Sequence, residues 1–96
     1  MIKFPLPIIK RAIWYTSHSA TLFKGRYVPY EITTGELQDL VIEWRLGEKK
    51  FCICLGEIFG ECYRLIGPDR DDLFSKSDDD PDDPDRFLKA IDWFLN

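Results

Sequence analysis

A chain of 96 residues, 45% hydrophobic and 15% aromatic, has the material for one buried core and no room for two domains. That composition excludes disorder from end to end, and no apolar run approaches the roughly 20 residues that a membrane-spanning helix needs. The formal net charge of −4 is unevenly spread: residues 1–30 carry Lys3, Lys10, Arg11, Lys24 and Arg26 and no acid, while residues 67–96 carry ten acids and four bases. So polarised a chain presents one basic and one acidic surface, unless folding brings its two ends together.

In the N-terminal third, Ile8, Ile9, Ala12 and Ile13 lie at helical spacing, and Pro7 suits a first helical position. Against this, Ile13-Trp14-Tyr15-Thr16 and Thr21-Leu22-Phe23 favour strands around a His18-Ser19 turn, and a hairpin is the expectation. Pro5 and Pro7 break the first apolar stretch and Lys10 and Arg11 close it, so no secretory signal is expected. Arg26 to Ile32 has strand composition, with Pro29 suggesting an edge position or a bulge. Thr33-Thr34-Gly35 then reads as a turn, and Glu36 to Asp39 as one helical turn.

Leu40 to Leu46 alternates, with Leu40, Ile42, Trp44 and Leu46 on one side and Glu43 and Arg45 on the other. This is the period of a half-buried strand. Gly47 to Lys50 reads as a four-residue turn and Phe51 to Leu55 as the returning strand. The expected register sets Leu46 against Phe51, Trp44 against Ile53 and Ile42 against Leu55. Gly56 and Gly60 bracket a connection that exposes Ile58 and Phe59. A third strand runs from Cys62 to Ile66 and stops at Gly67-Pro68.

Nine aspartates fall among residues 69–85. Residues 69–83 are therefore expected to form a solvated, mobile acidic loop. Asp83 then serves as an N-cap and Pro84 as the first residue of a closing helix, with Phe87, Leu88, Ala90, Ile91, Phe94 and Leu95 on its apolar face. The expected fold is α+β: a small antiparallel β-sheet of about 4–5 strands packed by a C-terminal α-helix, a single domain over 1–96.

Catalytic motifs are absent. His18 is the one histidine, and neither Lys24-Gly25-Arg26 nor Leu46-Gly47-Glu48 forms a phosphate loop. Cys52, Cys54 and Cys62 with His18 could on paper make a Cys3His zinc site, but two-residue spacing on a strand is poor for zinc. The three cysteines are read as reduced thiols of a cytoplasmic protein. Asp78, Asp80 and Asp82 start with calcium-loop spacing, yet Pro84 follows where glycine should turn. No metal or other cofactor is expected.

Two binding readings remain. Clustered carboxylates can imitate a nucleic-acid backbone and be steered to a basic groove. On that reading Asp71, Asp72, Asp78, Asp79, Asp80, Asp82 and Asp83, with Ile58 and Phe59, form the contact surface of a small non-enzymatic inhibitor or neutraliser. It would be of immunity or anti-defence type, and its partner another protein: a nuclease, a toxin or a DNA-binding enzyme. The alternative uses Lys10, Arg11, Lys24 and Arg26, interleaved with Trp14, Tyr15, Phe23, Tyr27 and Tyr30, to hold nucleic acid. It ranks second because the acidic C-terminal half would repel such a partner.

Overall fold

A computed structural model describes residues 4–36, 38–57, 60–75 and 86–96. The N-terminal third is helical, which corrects the expected hairpin: α1 spans Leu6–Ser17 and α2 Ser19–Leu22. Pro5 occupies the N-cap and Pro7 the first turn, where a fixed φ starts a helix and a missing N–H removes no bond. Ala12 and Tyr15 are buried and Ile8 packs against the core. This inward spacing outweighs the strand preference of Ile13 to Thr16, a local bias that tertiary burial overrides. Thr16 adapts by donating its hydroxyl back to the Ala12 carbonyl at 3.1 Å. His18 closes α1, its N–H on the Trp14 carbonyl at 3.0 Å and its ring stacked on Trp14.

Among the described residues there are five strands: β1 Tyr30–Thr34, β2 Leu40–Leu46, β3 Lys49–Gly56, β4 Gly60–Gly67 and β5 Arg70–Ser75. They form one antiparallel sheet in sequence order. Pro29 precedes β1, which is an edge strand as its proline suggested. Thr33 and Thr34 belong to β1 and not to a turn. Residues 36–39 form no helical turn among the described residues. Gly35 donates instead to the Asp39 carbonyl at 2.9 Å, and Gln38 takes a φ of 58°.

The register differs from expectation by two residues. Trp44 faces Phe51, Ile42 faces Ile53 and Leu40 faces Leu55. The cause is a two-residue loop, Gly47-Glu48, in which Gly47 supplies the positive φ of 62° that such a loop needs at its first position. A shift of two preserves parity, so the same side chains face inward.

Strand β5 corrects the expected acidic loop at residues 70–75. Phe74 is buried beneath Tyr63, with ring centroids 5.2 Å apart. Residues 76–85 lie outside the described residues, as do the expected cap residues Asp83 and Pro84. Helix α3 spans Arg86–Leu95 and buries Ala90, Ile91 and Phe94.

The three described helices lie on one side of the sheet. Helix α1 packs on β3 and β2, α3 on β3, and Phe23 beyond α2 reaches Trp44, Phe51 and Phe94. Phe23, Trp44, Phe51 and Phe94 are fully buried. Burying a large apolar side chain contributes about 1.5–3 kcal/mol, so this cluster anchors the fold.

Candidate functional site

Among the described residues no helix covers the other face of the sheet, and parity decides what that face carries. The strand pairings place Thr33, Val41, Cys54 and Cys62 in one row across the sheet, followed by residue 75. The next row is Glu31, Glu43, Cys52, Arg64 and Leu73, and the one beyond is Arg45, Lys50, Ile66 and Asp71. A hollow of about 640 Å³ opens over the first two rows and reaches Ile66 of the third, floored by the three thiols with Val41, Ile66 and Leu73 and rimmed by Asp39, Glu43 and Arg64.

The charges of this face are largely satisfied within it. Arg64 makes a two-pronged pair with Asp71, at 2.9 and 3.0 Å. Glu43 holds Arg45 at 2.8 Å and reaches Lys50 at 3.9 Å. What remains between these pairs is apolar: Leu73 is 64% exposed.

The thiols are poor nucleophiles at neutral pH. Burial pushes the Cys52 thiol up to about 12, helped by the neighbouring Glu43 carboxylate. Burial likewise raises Cys54 to about 11, helped by Asp39 and Cys62. Cys54 and Cys62 are direct cross-strand neighbours. His18 is on the helix side of the sheet and the cysteines on the other, so no Cys3His set is assembled. Among the described residues no group of three or more histidine, cysteine or acidic side chains could hold a metal ion.

A second polar cluster lies on the helix side. Arg11 Nε donates to Glu61 Oε1 at 2.9 Å, the Tyr63 hydroxyl donates to Glu61 Oε2 at 3.0 Å, and Tyr15 and Tyr63 share a hydroxyl contact of 3.3 Å. Burial raises both tyrosines above their ordinary value. This network joins α1 to β4.

The residues singled out from sequence fare unevenly. Asp71 is paired with Arg64, and Asp72 with Arg70, so neither offers a free negative charge. Ile58, Phe59, Asp78, Asp79, Asp80, Asp82 and Asp83 lie outside the described residues. Of the basic set, Arg11 is tied to Glu61, Lys24 to Asp92 at 2.6 Å, and Arg26 to the Leu95 carbonyl at 3.2 Å. Lys10 is exposed on α1.

Sequence reasoning missed Val41, Arg64, Ile66 and Leu73 as parts of one surface. The usable signal was the parity of the strands, which places Cys52, Cys54 and Glu43 together. Leu73 was hidden because aspartates on both sides made its strand look like loop.

Among the described residues no helix is long and apolar enough to cross a membrane. No protein family matches the chain, and comparison with curated proteins and with solved structures finds no similar one.

Proposed function

We propose that this chain is a non-enzymatic binding protein that engages another protein through the open face of its sheet. One observation carries the reading: a hollow of about 640 Å³ with an apolar and thiol floor, on a face that none of the described helices covers. An antiparallel sheet tolerates one solvated face, but that face is then usually polar throughout. An apolar floor inside a rim of paired charges resembles the core-and-rim arrangement of a protein interface. The thiols, held protonated by burial, act there as small apolar side chains.

The finer reading is an inhibitor or neutraliser whose partner presents a basic groove. The acidic tract supports it by position in the chain: it follows β5, the strand that carries Leu73 into the hollow. Its carboxylates would steer a basic partner toward the open face. The nucleic-acid alternative gains no support from geometry, since three of its four basic residues are engaged within the fold.

A photo-crosslinking residue at position 73 should capture a discrete partner from host extract, whereas one at Leu88, equally exposed on the helix side, should not. Equal capture at both positions would overturn the reading. Replacing Asp78, Asp79, Asp80, Asp82 and Asp83 with Asn should slow association and flatten its salt dependence. An unchanged association rate would remove the acidic tract from the account and leave the open face standing.

A further inference from the structure

Strand β1 is an edge of the sheet on which no other described strand pairs, and all five of its residues are exposed. The direction of its backbone groups follows from one bond. The Arg45 N–H donates to the Pro29 carbonyl at 3.2 Å, which makes Pro29 and Arg45 a hydrogen-bonded position of the ladder. Such positions alternate in an antiparallel pair. With Tyr30 opposite Trp44 and Ile32 opposite Ile42, the N–H and C=O groups of Glu31 and Thr33 turn toward β2. Those of Tyr30, Ile32 and Thr34 turn away from the sheet, a template for one more strand.

We infer that β1 pairs antiparallel with β1 of a second copy, about a two-fold axis passing between the two Ile32 residues. Tyr30 then faces Thr34 of the second copy, and Ile32 faces Ile32. Every outward donor meets an outward acceptor. A slip of one residue would set outward groups against inward ones, and a slip of two in one direction would set Glu31 against Glu31. In the inferred register Glu31 faces Thr33 instead, which avoids a direct clash of like charges. The edge is thus self-complementary, as an isologous interface requires.

Side chains favour the same contact. Tyr30 and Ile32 lie on the helix side and are 43% and 52% exposed. Helix α1 sends Arg11 and Tyr15 toward β4, so exposed Ile9 and Ile13 lie on its opposite flank, the one turned away from β4 and to the side of the β1 edge. Two copies place these apolar flanks on either side of the joined Tyr30 and Ile32 side chains. The other edge is protected: β5 carries Arg70, Asp71 and Asp72, charges of the kind that discourage strand pairing. The covered area is on the order of 1,000 Å² or less, the size of weak, concentration-dependent associations. The pairing leaves the open face of the sheet free, so it stands or falls independently of the function proposed above.

Sedimentation of the intact chain from about 10 to 500 µM should show a reversible shift from one copy to two, the range expected of so small an interface. Ile32→Lys should abolish the shift with an unchanged circular dichroism spectrum, because it sets two cations against each other at the axis. Mixing Ile32→Lys with Ile32→Glu should restore the dimer. Amide exchange on the unmodified protein gives a readout free of any folding defect: the amides of Tyr30, Ile32 and Thr34 should slow as concentration rises, and those of β5 should not. A single copy throughout the range would overturn the inference. So would a dimer indifferent to Ile32→Lys, growth into open-ended oligomers, or concentration-dependent protection on β5 alone.

Discussion

Lys24 Nζ and Asp92 Oδ1 meet at 2.6 Å although 68 positions separate them in the chain. This contact, with Arg11 on Glu61 and Arg26 on the Leu95 carbonyl, folds the basic end onto acidic partners and onto α3. Among the described residues the basic end is therefore not left as a free positive pole.

The ion pair and the aromatic contact beside it should differ sharply in weight. Lys24 and Asp92 are both more than half exposed, so Lys24→Ala should cost less than about 1 kcal/mol in urea unfolding. Phe23, whose ring lies 5.5 Å from Phe94, is fully buried, and Phe23→Ala should cost about 3–5 kcal/mol. Similar costs for the two would contradict this division of roles.

Trp44 is fully buried, and among the described residues its indole N–H has no hydrogen-bond partner. Trp44→Ala should remove about 3–5 kcal/mol. Trp44→Phe should remove much less than its lost volume implies, because it also deletes a buried donor that the fold leaves unmet. Denaturant midpoints of the two variants decide the point, and equal losses would show that the donor is satisfied in solution.

The thiols predict an alkaline limit. In the folded state Cys52 and Cys54 keep their protons to about 12 and 11, against about 9 for an exposed thiol. The folded state therefore binds more protons than the unfolded one above pH 9, and their contribution, complete below that pH, is lost as pH rises toward the folded values. Each thiol can remove up to about 1.4 kcal/mol per pH unit in that window. Cys52→Ala and Cys54→Ala should flatten the fall measured by unfolding between pH 8 and 11. An unchanged slope in both variants would mean that the thiols are solvated.

The network of Arg11, Glu61, Tyr63 and Tyr15 should resist small cuts better than large ones. Tyr63→Phe leaves Glu61 held by Arg11 and should cost about 0.5–1.5 kcal/mol. Glu61→Ala removes the acceptor of Arg11 Nε and of the buried Tyr63 hydroxyl, while Arg11 keeps its bond to the Tyr15 hydroxyl, and should cost about 1–3 kcal/mol. The reverse order in thermal melts would place the weight on the tyrosine pair.

The sheet and closing helix were legible because their signals are periodic: β2 alternates over seven residues, and α3 repeats apolar positions at helical spacing. The turn length was not legible from periodicity, since a two-residue and a four-residue loop bury the same side chains. The positive φ of Gly47 decides it. Helix α1 was misread because β-branched and aromatic residues crowd Ile13 to Thr16, while the deciding fact is the distant partner surface that receives Ala12 and Tyr15. Strand β5 was hidden by composition, its aspartates being neutralised by arginines that cannot be assigned before the register is known. The open face required that register too.

Sequential strand order carries a kinetic consequence. Each strand finds its neighbour across a short connection, so sheet formation requires no long loop to close before contacts reward it. The distant searches that remain are the docking of α3 against Phe23 and of α1 against Tyr63. Refolding should therefore be fast for a protein whose largest element is a sheet, and its barrier should respond to Phe94 and Tyr15 more than to the edge strands.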